Sequence, residues 1–317
     1  MAMRLLTAIL VLTSAATASA QWDTVLGDAL DMPETGPHWV SVRGRGIAYL
    51  LNADTGKVGG TLDISNFTPA VRPAMTRDRI YAYGSFYSRG TYGDRTDVVI
   101  GFDTATTLPV EEVEIPPKAA VIGNPGMIGL INEQFIGVWN ITPAISVSIV
   151  DLDSSEFVTE ISTPNCAGIY PADRGFISSC ADGTVQYVGL NENGEETSRS
   201  SSEVFFDLFE DPVLDYAVPS DDGWVFMTMN GRVHEAAVEN GQISISDGWS
   251  INPPDTDATD RNGMPLSSDD DWRLGGNQAY ALNSKAEVLA VVMHQGCLLY
   301  TSPSPRDVED SRMPSSA

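Results

Sequence analysis

Hydrophobic positions along the chain fall in short runs rather than in helical periods. Arg79 to Tyr83, Val98 to Phe102, Ile145 to Val150 and Trp224 to Met229 are rich in β-branched, aromatic and other apolar residues, and Gly, Asn, Asp and Pro clusters separate them. Such runs predict strands. Ser202 to Phe209 holds a brief apolar cluster that reads as either one helical turn or a strand.

A hairpin signature recurs: a strand ending in a polar residue, a short turn, and another strand. Copies begin at Asn52 (NADTG), Asp103 (DTATT), Asp153 (DSSEF), Asn191 (NENGE) and Ala237 (AVENG), at intervals of 51, 50, 38 and 46 residues. Asn193-Gly194 and Asn240-Gly241 suit tight turns because Asn and Gly tolerate positive φ. A long period with about four strands per unit marks β-propeller blades, whereas an immunoglobulin-like sandwich has dense turns without a long period. Five blades are marked, and a sixth is expected to begin around Gln278 to Met293.

The ends differ from the middle. Met1 to Ala20 has one early charge (Arg4), an apolar stretch from Leu5 to Leu12 and an Ala18-Ser19-Ala20 cleavage pattern. That is a secretory signal peptide, too short to span a bilayer of about 30 Å. Export is therefore expected, without membrane insertion. Residues 297–317 have neither strand nor helix period and resemble a translated sequencing-adapter tail. On that reading the last blades are missing, Cys297 needs no role, and this polypeptide is expected to be less soluble than a full-length parent. The expected organisation is a signal peptide at 1–20, an N-terminal extension at 21–44, an all-β propeller truncated to about five or six blades at 45–296, and the tail.

Charge narrows the partners. Against 18 Lys and Arg stand 43 Asp and Glu in 317 residues, a formal net charge of −25. Nucleic acid is disfavoured, since phosphate contacts need clustered cations, and so is an anionic membrane surface. Cys166 and Cys180 flank strand-like segments in an exported chain, so a structural disulfide is expected, with a metal or redox site as the rival. The rival lacks a CxxC and a nearby His.

Chemistry is sparse. Among three His, His234 sits on a strand flank, where packing is commoner than catalysis. No GxSxG, HExxH, phosphate-loop or EF-hand pattern appears. The acidic segment from Asp255 to Asp271 fits no calcium loop and reads as solvated.

One block is more specific. Residues 86–103 (FYSRGTYGDRTDVVIGFD), then Leu108-Pro109 and Val113 to Pro116, resemble the heavy subunit of bacterial quinoprotein amine dehydrogenases, the methylamine and aromatic-amine dehydrogenase family. The resemblance continues through Val147 to Leu152, the Cys166/Cys180 loop, Gly231 to Glu235 and Asp271 to Gly276. It implies a seven-bladed periplasmic propeller in an α2β2 heterotetramer with a light subunit. That partner carries tryptophan tryptophylquinone, deaminates primary amines and passes electrons to an amicyanin- or azurin-type blue-copper protein. This chain then holds no catalytic residue, cofactor or metal, and its six Trp are core or interface aromatics rather than cofactor precursors. The resemblance also implies an aromatic lining the amine channel, for which Trp39 is a stand-in within a shortened HWVSVRGRG segment. Arg89, Arg95 and Asp97 read either as an ion-pair network fixing a loop between blades or as light-subunit contacts. The rival classes are a non-enzymatic binding propeller of the cell envelope and a metal-dependent propeller hydrolase, whose ligands would come from several blades.

Overall fold

The computed structural model describes residues 32–120, 123–214, 216–251, 272–275 and 278–295. The expected signal peptide, the tail with Cys297 and the Asp255 to Asp271 segment lie outside them. The described chain is all-β with a β-propeller arrangement. No helix among the described residues is long and apolar enough to cross a membrane.

Five antiparallel sheets follow one another. The first contains β1 (Trp39–Arg43), β2 (Ile47–Asn52) and β3 (Lys57–Asp63). The second runs β4 (Val71–Ala74), β5 (Arg79–Tyr87), β6 (Arg95–Asp103) and β7 (Pro109–Ile115). The third runs β8 (Ile128–Ile131), β9 (Phe135–Asn140), β10 (Ser146–Asp151) and β11 (Glu156–Ser162). The fourth runs β12 (Cys166–Ala172), β13 (Gly175–Cys180), β14 (Val185–Leu190) and β15 (Glu196–Ser201). The fifth holds β16 (Val218–Pro219), β17 (Gly223–Met227), β18 (Arg232–Glu239) and β19 (Gln242–Ile245), with β20 (Trp249–Ser250) paired beyond β18. Where a sixth blade is expected, β22 (Tyr280–Asn283) pairs with β23 (Val288–Val291), and β21 (Trp272–Leu274) with β24 (Met293–Gln295).

Burial explains the run-like pattern. β9 and β13 are buried at every position, and β5, β6 and β10 nearly so, because each blade's middle strands are covered on both faces by neighbouring blades. The core is correspondingly a series of clusters. One joins the second, third and fourth sheets through residues such as Tyr83, Met127, Ile136 and Phe176. Others join the first to the second and the fourth to the fifth. The outermost strands are less buried than the middle ones, and β15 is the most exposed of them.

All five marked hairpins join the last two strands of a blade. Side-chain capping builds four of them. Asn52 Oδ1 accepts from the amides of Asp54 and Thr55, Asp103 Oδ1 from Thr106, and Asn191 Oδ1 from Asn193 and Glu195. In the third blade the cap is Asp151, two residues before Asp153, accepting from Asp153 N at 2.7 Å. The fifth turns instead at Asn240 and Gly241, both at positive φ. Residues 202–209 form neither helix nor strand; they are a loop in which Asp207 Oδ1 caps a turn by accepting from Phe209 and Glu210.

Cys166 and Cys180 are bonded and lie directly opposite one another on β12 and β13, both buried. The pair closes a 14-residue separation, for which the chain-entropy cost removed from the unfolded state is about 3 kcal/mol. The Cys166→Ser, Cys180→Ser double variant is therefore expected to lose roughly that much in urea unfolding. Unchanged stability would show that the bridge only decorates the hairpin.

Candidate functional site

The block at residues 86–103 separates into two parts. Asp97, on β6, is fully buried. It takes a bidentate pair of bonds from Arg95, Nε to Oδ1 and a terminal nitrogen to Oδ2, both at 2.7 Å. Asp97 Oδ2 also accepts from the Ala119 amide at 3.0 Å, while Arg95 donates to the Ala119 carbonyl and to Ser85 Oγ. Ala119 lies on the connection between the second and third blades, bridged to Asn140. The network thus ties that connection to β5 and β6. Burial alone would lower Arg95, but its bonds to Asp97 outweigh it and hold the guanidinium above its ordinary value.

Arg89 takes no part in this network. It lies in the loop between β5 and β6, where its guanidinium stands 5.8 Å from the Tyr92 ring centroid, and residues 88–94 are all exposed. Phe86 and Tyr92 are also exposed, at 44% and 62%. Strands alternate in direction, so this hairpin tip shares one face of the propeller with the connections between blades, including residues 64–70 and 116–120.

Trp39, on β1, is half-buried against the cluster between the first two blades, its ring over Gly59. A Cβ at Gly59 would stand 2.3 Å from the Trp39 ring, so the glycine makes room for it. Two other indoles bond to backbone: Trp139 donates to the Cys166 carbonyl and Trp224 to the Pro171 carbonyl. Trp249 is exposed on β20. His234 is buried, its Nδ1 3.1 Å from the Ser246 carbonyl and its ring against Phe205. Among the described residues no three His, Cys, Asp or Glu side chains gather closely enough to hold a metal.

Sequence reasoning missed the residues at the axis. Arg72 projects from β4, the innermost strand of the second blade, and Nε donates to the Ile128 carbonyl at 2.9 Å. A terminal nitrogen donates to the Pro125 carbonyl, so the side chain reaches across to the third blade. Burial pushes its pKa down to about 10, with the Tyr170 and Tyr216 hydroxyls acting weakly the other way. It remains a cation at neutral pH. Two cavities meet at Arg72, Pro125 and Gln278, of about 350 and 450 Å³. The larger carries Tyr170, Tyr216 and Trp224 on its wall.

Residues 38–297 match the family model of the methylamine dehydrogenase heavy chain. The chain is 26% identical over 259 residues to the methylamine dehydrogenase heavy chain of Paracoccus versutus, covering 78% of this chain and 56% of that protein. To the heavy chain of Methylorubrum extorquens it is 30% identical over 166 residues, covering 50% and 39% respectively. The chain spans about half the length of the curated relatives it matches. Among solved structures it is similar to the C-terminal WD40 domain of Sif2, with a TM-score of 0.48, 14% identity and coverage of 84% of this chain and 67% of that one.

Proposed function

The chain belongs to the methylamine dehydrogenase heavy chain family, and from that membership we propose that it is the scaffold subunit of a periplasmic amine dehydrogenase. It reaches the periplasm through its cleaved signal peptide. There it binds a separate light subunit in an α2β2 assembly. The light subunit's tryptophan tryptophylquinone, when present, oxidises a primary amine, which with water yields an aldehyde and ammonia. The two electrons leave to a blue-copper acceptor. This chain contributes shape and shielding.

The match of the family model over residues 38–297 carries the reading. The geometry supports it with a rigid foundation and an exposed tip on one face. The buried Arg95–Asp97 pair fixes the base of the β5–β6 hairpin, which presents Arg89, Tyr92 and Phe86 outward. Exposed aromatic and Arg side chains on a fixed base are the usual anchors of a protein interface.

Co-expression with an amine dehydrogenase light subunit tests this. The complex is expected to show amine-dependent dye reduction, and neither chain alone. The Arg89→Glu, Tyr92→Ala double variant is expected to bind the light subunit at least tenfold more weakly without a change in melting temperature, since both side chains are exposed. Activity of this chain alone, or failure of the pair to associate, would end the proposal.

A further inference from the structure

The described ion pairs involve His38, Arg77, Arg79, Arg95, Lys118 and Arg199. Arg72 and Arg43 are not among them, in a chain where acidic residues outnumber basic ones 43 to 18. Among the described residues Arg72 donates to neutral carbonyls: Ile128, Pro125 and its own Val71. Three of a guanidinium's five N–H groups are thereby used, so two are without a partner among the described residues. Arg43, on β1, donates to the Thr68 carbonyl at 3.0 Å, and its guanidinium lies against Gly123. Both arginines border the smaller cavity, and Arg72 also borders the larger. No carboxylate stands among the described residues of either lining.

A charge held among neutral groups is costly without a counter-charge. Arg72 is half-buried, and with only neutral carbonyls as partners its remaining N–H groups are open to an anion from the cavity. The walls say what else that anion carries. Tyr170 and Trp224 lie with ring centroids 5.1 Å apart, and Tyr216, Pro171 and Pro219 complete an apolar side. A volume of about 450 Å³ is that of a small-molecule site. The planar fork of an arginine matches a carboxylate in two-point geometry.

We propose that the axial cavity binds a small organic carboxylate, its oxygens on the free edge of Arg72 and its body against Tyr170 and Trp224. This assignment is independent of the heavy-subunit reading, since it needs no light subunit and no amine. Calorimetric titration of the full chain with benzoate, and separately with sulfate, at fixed ionic strength tests it. Benzoate is expected to saturate one site, with sulfate at least tenfold weaker and Arg72→Lys lowering benzoate affinity at least tenfold. Because Arg72 also bridges two blades, the unmutated chain is tested in parallel. Peptide mapping after phenylglyoxal treatment is expected to show Arg72 labelling slowed at least fivefold by benzoate. Absence of saturation, unchanged labelling, or undiminished affinity in a folded Arg72→Lys would overturn the site. Equal affinity for sulfate would overturn the organic ligand.

Discussion

Asp97→Ala is expected to lower the unfolding free energy by about 3 kcal/mol or more, the range for removing one partner of a buried ion pair. Asp97 is completely buried, and each carboxylate oxygen takes a bond from Arg95. Alanine would leave the guanidinium facing Ser85 and the Ala119 carbonyl alone, and would orphan the Ala119 amide. Asp97→Asn keeps the volume but brings an N–H toward the same guanidinium, so it should recover little. An Arg95→Met, Asp97→Leu pair should cost less than either single loss, because no uncompensated charge remains. Urea unfolding at unchanged slope reads all three. An Asp97→Ala variant within 1 kcal/mol of the parent would show that the network is not what joins the second and third blades.

The same contrast between local and long-range partners explains what the chain discloses before folding. Its hairpins were legible because their determinants sit within five residues: Asn52, Asp103 and Asn191 cap the turns they open. The middle strands were legible because they are buried on both faces and read as unbroken apolar runs. The 86–103 block could be picked out, but its division into a buried pair and an exposed tip depends on where Ala119 arrives from the next blade. The third hairpin was marked at Asp153, while the side chain that caps its turn is Asp151, two residues earlier; both residues are Asp, and only the fold shows which one accepts. The innermost strands were hardest. β4 reads VRPA and β16 only VP, and a proline within β4, β12 and β16 argues against a central strand. These strands pair on one side only and face the axis on the other, where proline's missing N–H is tolerated. Arg72 hides in such a segment. Its significance depends on carbonyls more than fifty residues away, so no local pattern announces it.

Gly175→Ala is expected to cost about 3 kcal/mol, the upper part of the usual overpacking range, and Gly223→Ala the same. Each opens the second strand of its blade, Gly175 opposite Gly189 and Gly223 opposite Ala237. A Cβ at Gly175 would lie 1.9 Å from the Val188 carbonyl oxygen, and one at Gly223 2.0 Å from that of Ala236. Neither obstacle is a side chain that can swing away. The added methyl group must push apart two paired strands whose far faces already pack on the next blade. Gly56 supplies the contrast. It sits in the first hairpin at φ +68, and a Cβ there would meet nothing within 4 Å, so Gly56→Ala carries only the left-handed backbone penalty, roughly 1 kcal/mol. Denaturant midpoints for the three variants separate steric from conformational demand. If Gly56→Ala proved the most harmful, close approach of the paired strand within each blade could not be the reason glycine opens β13 and β17.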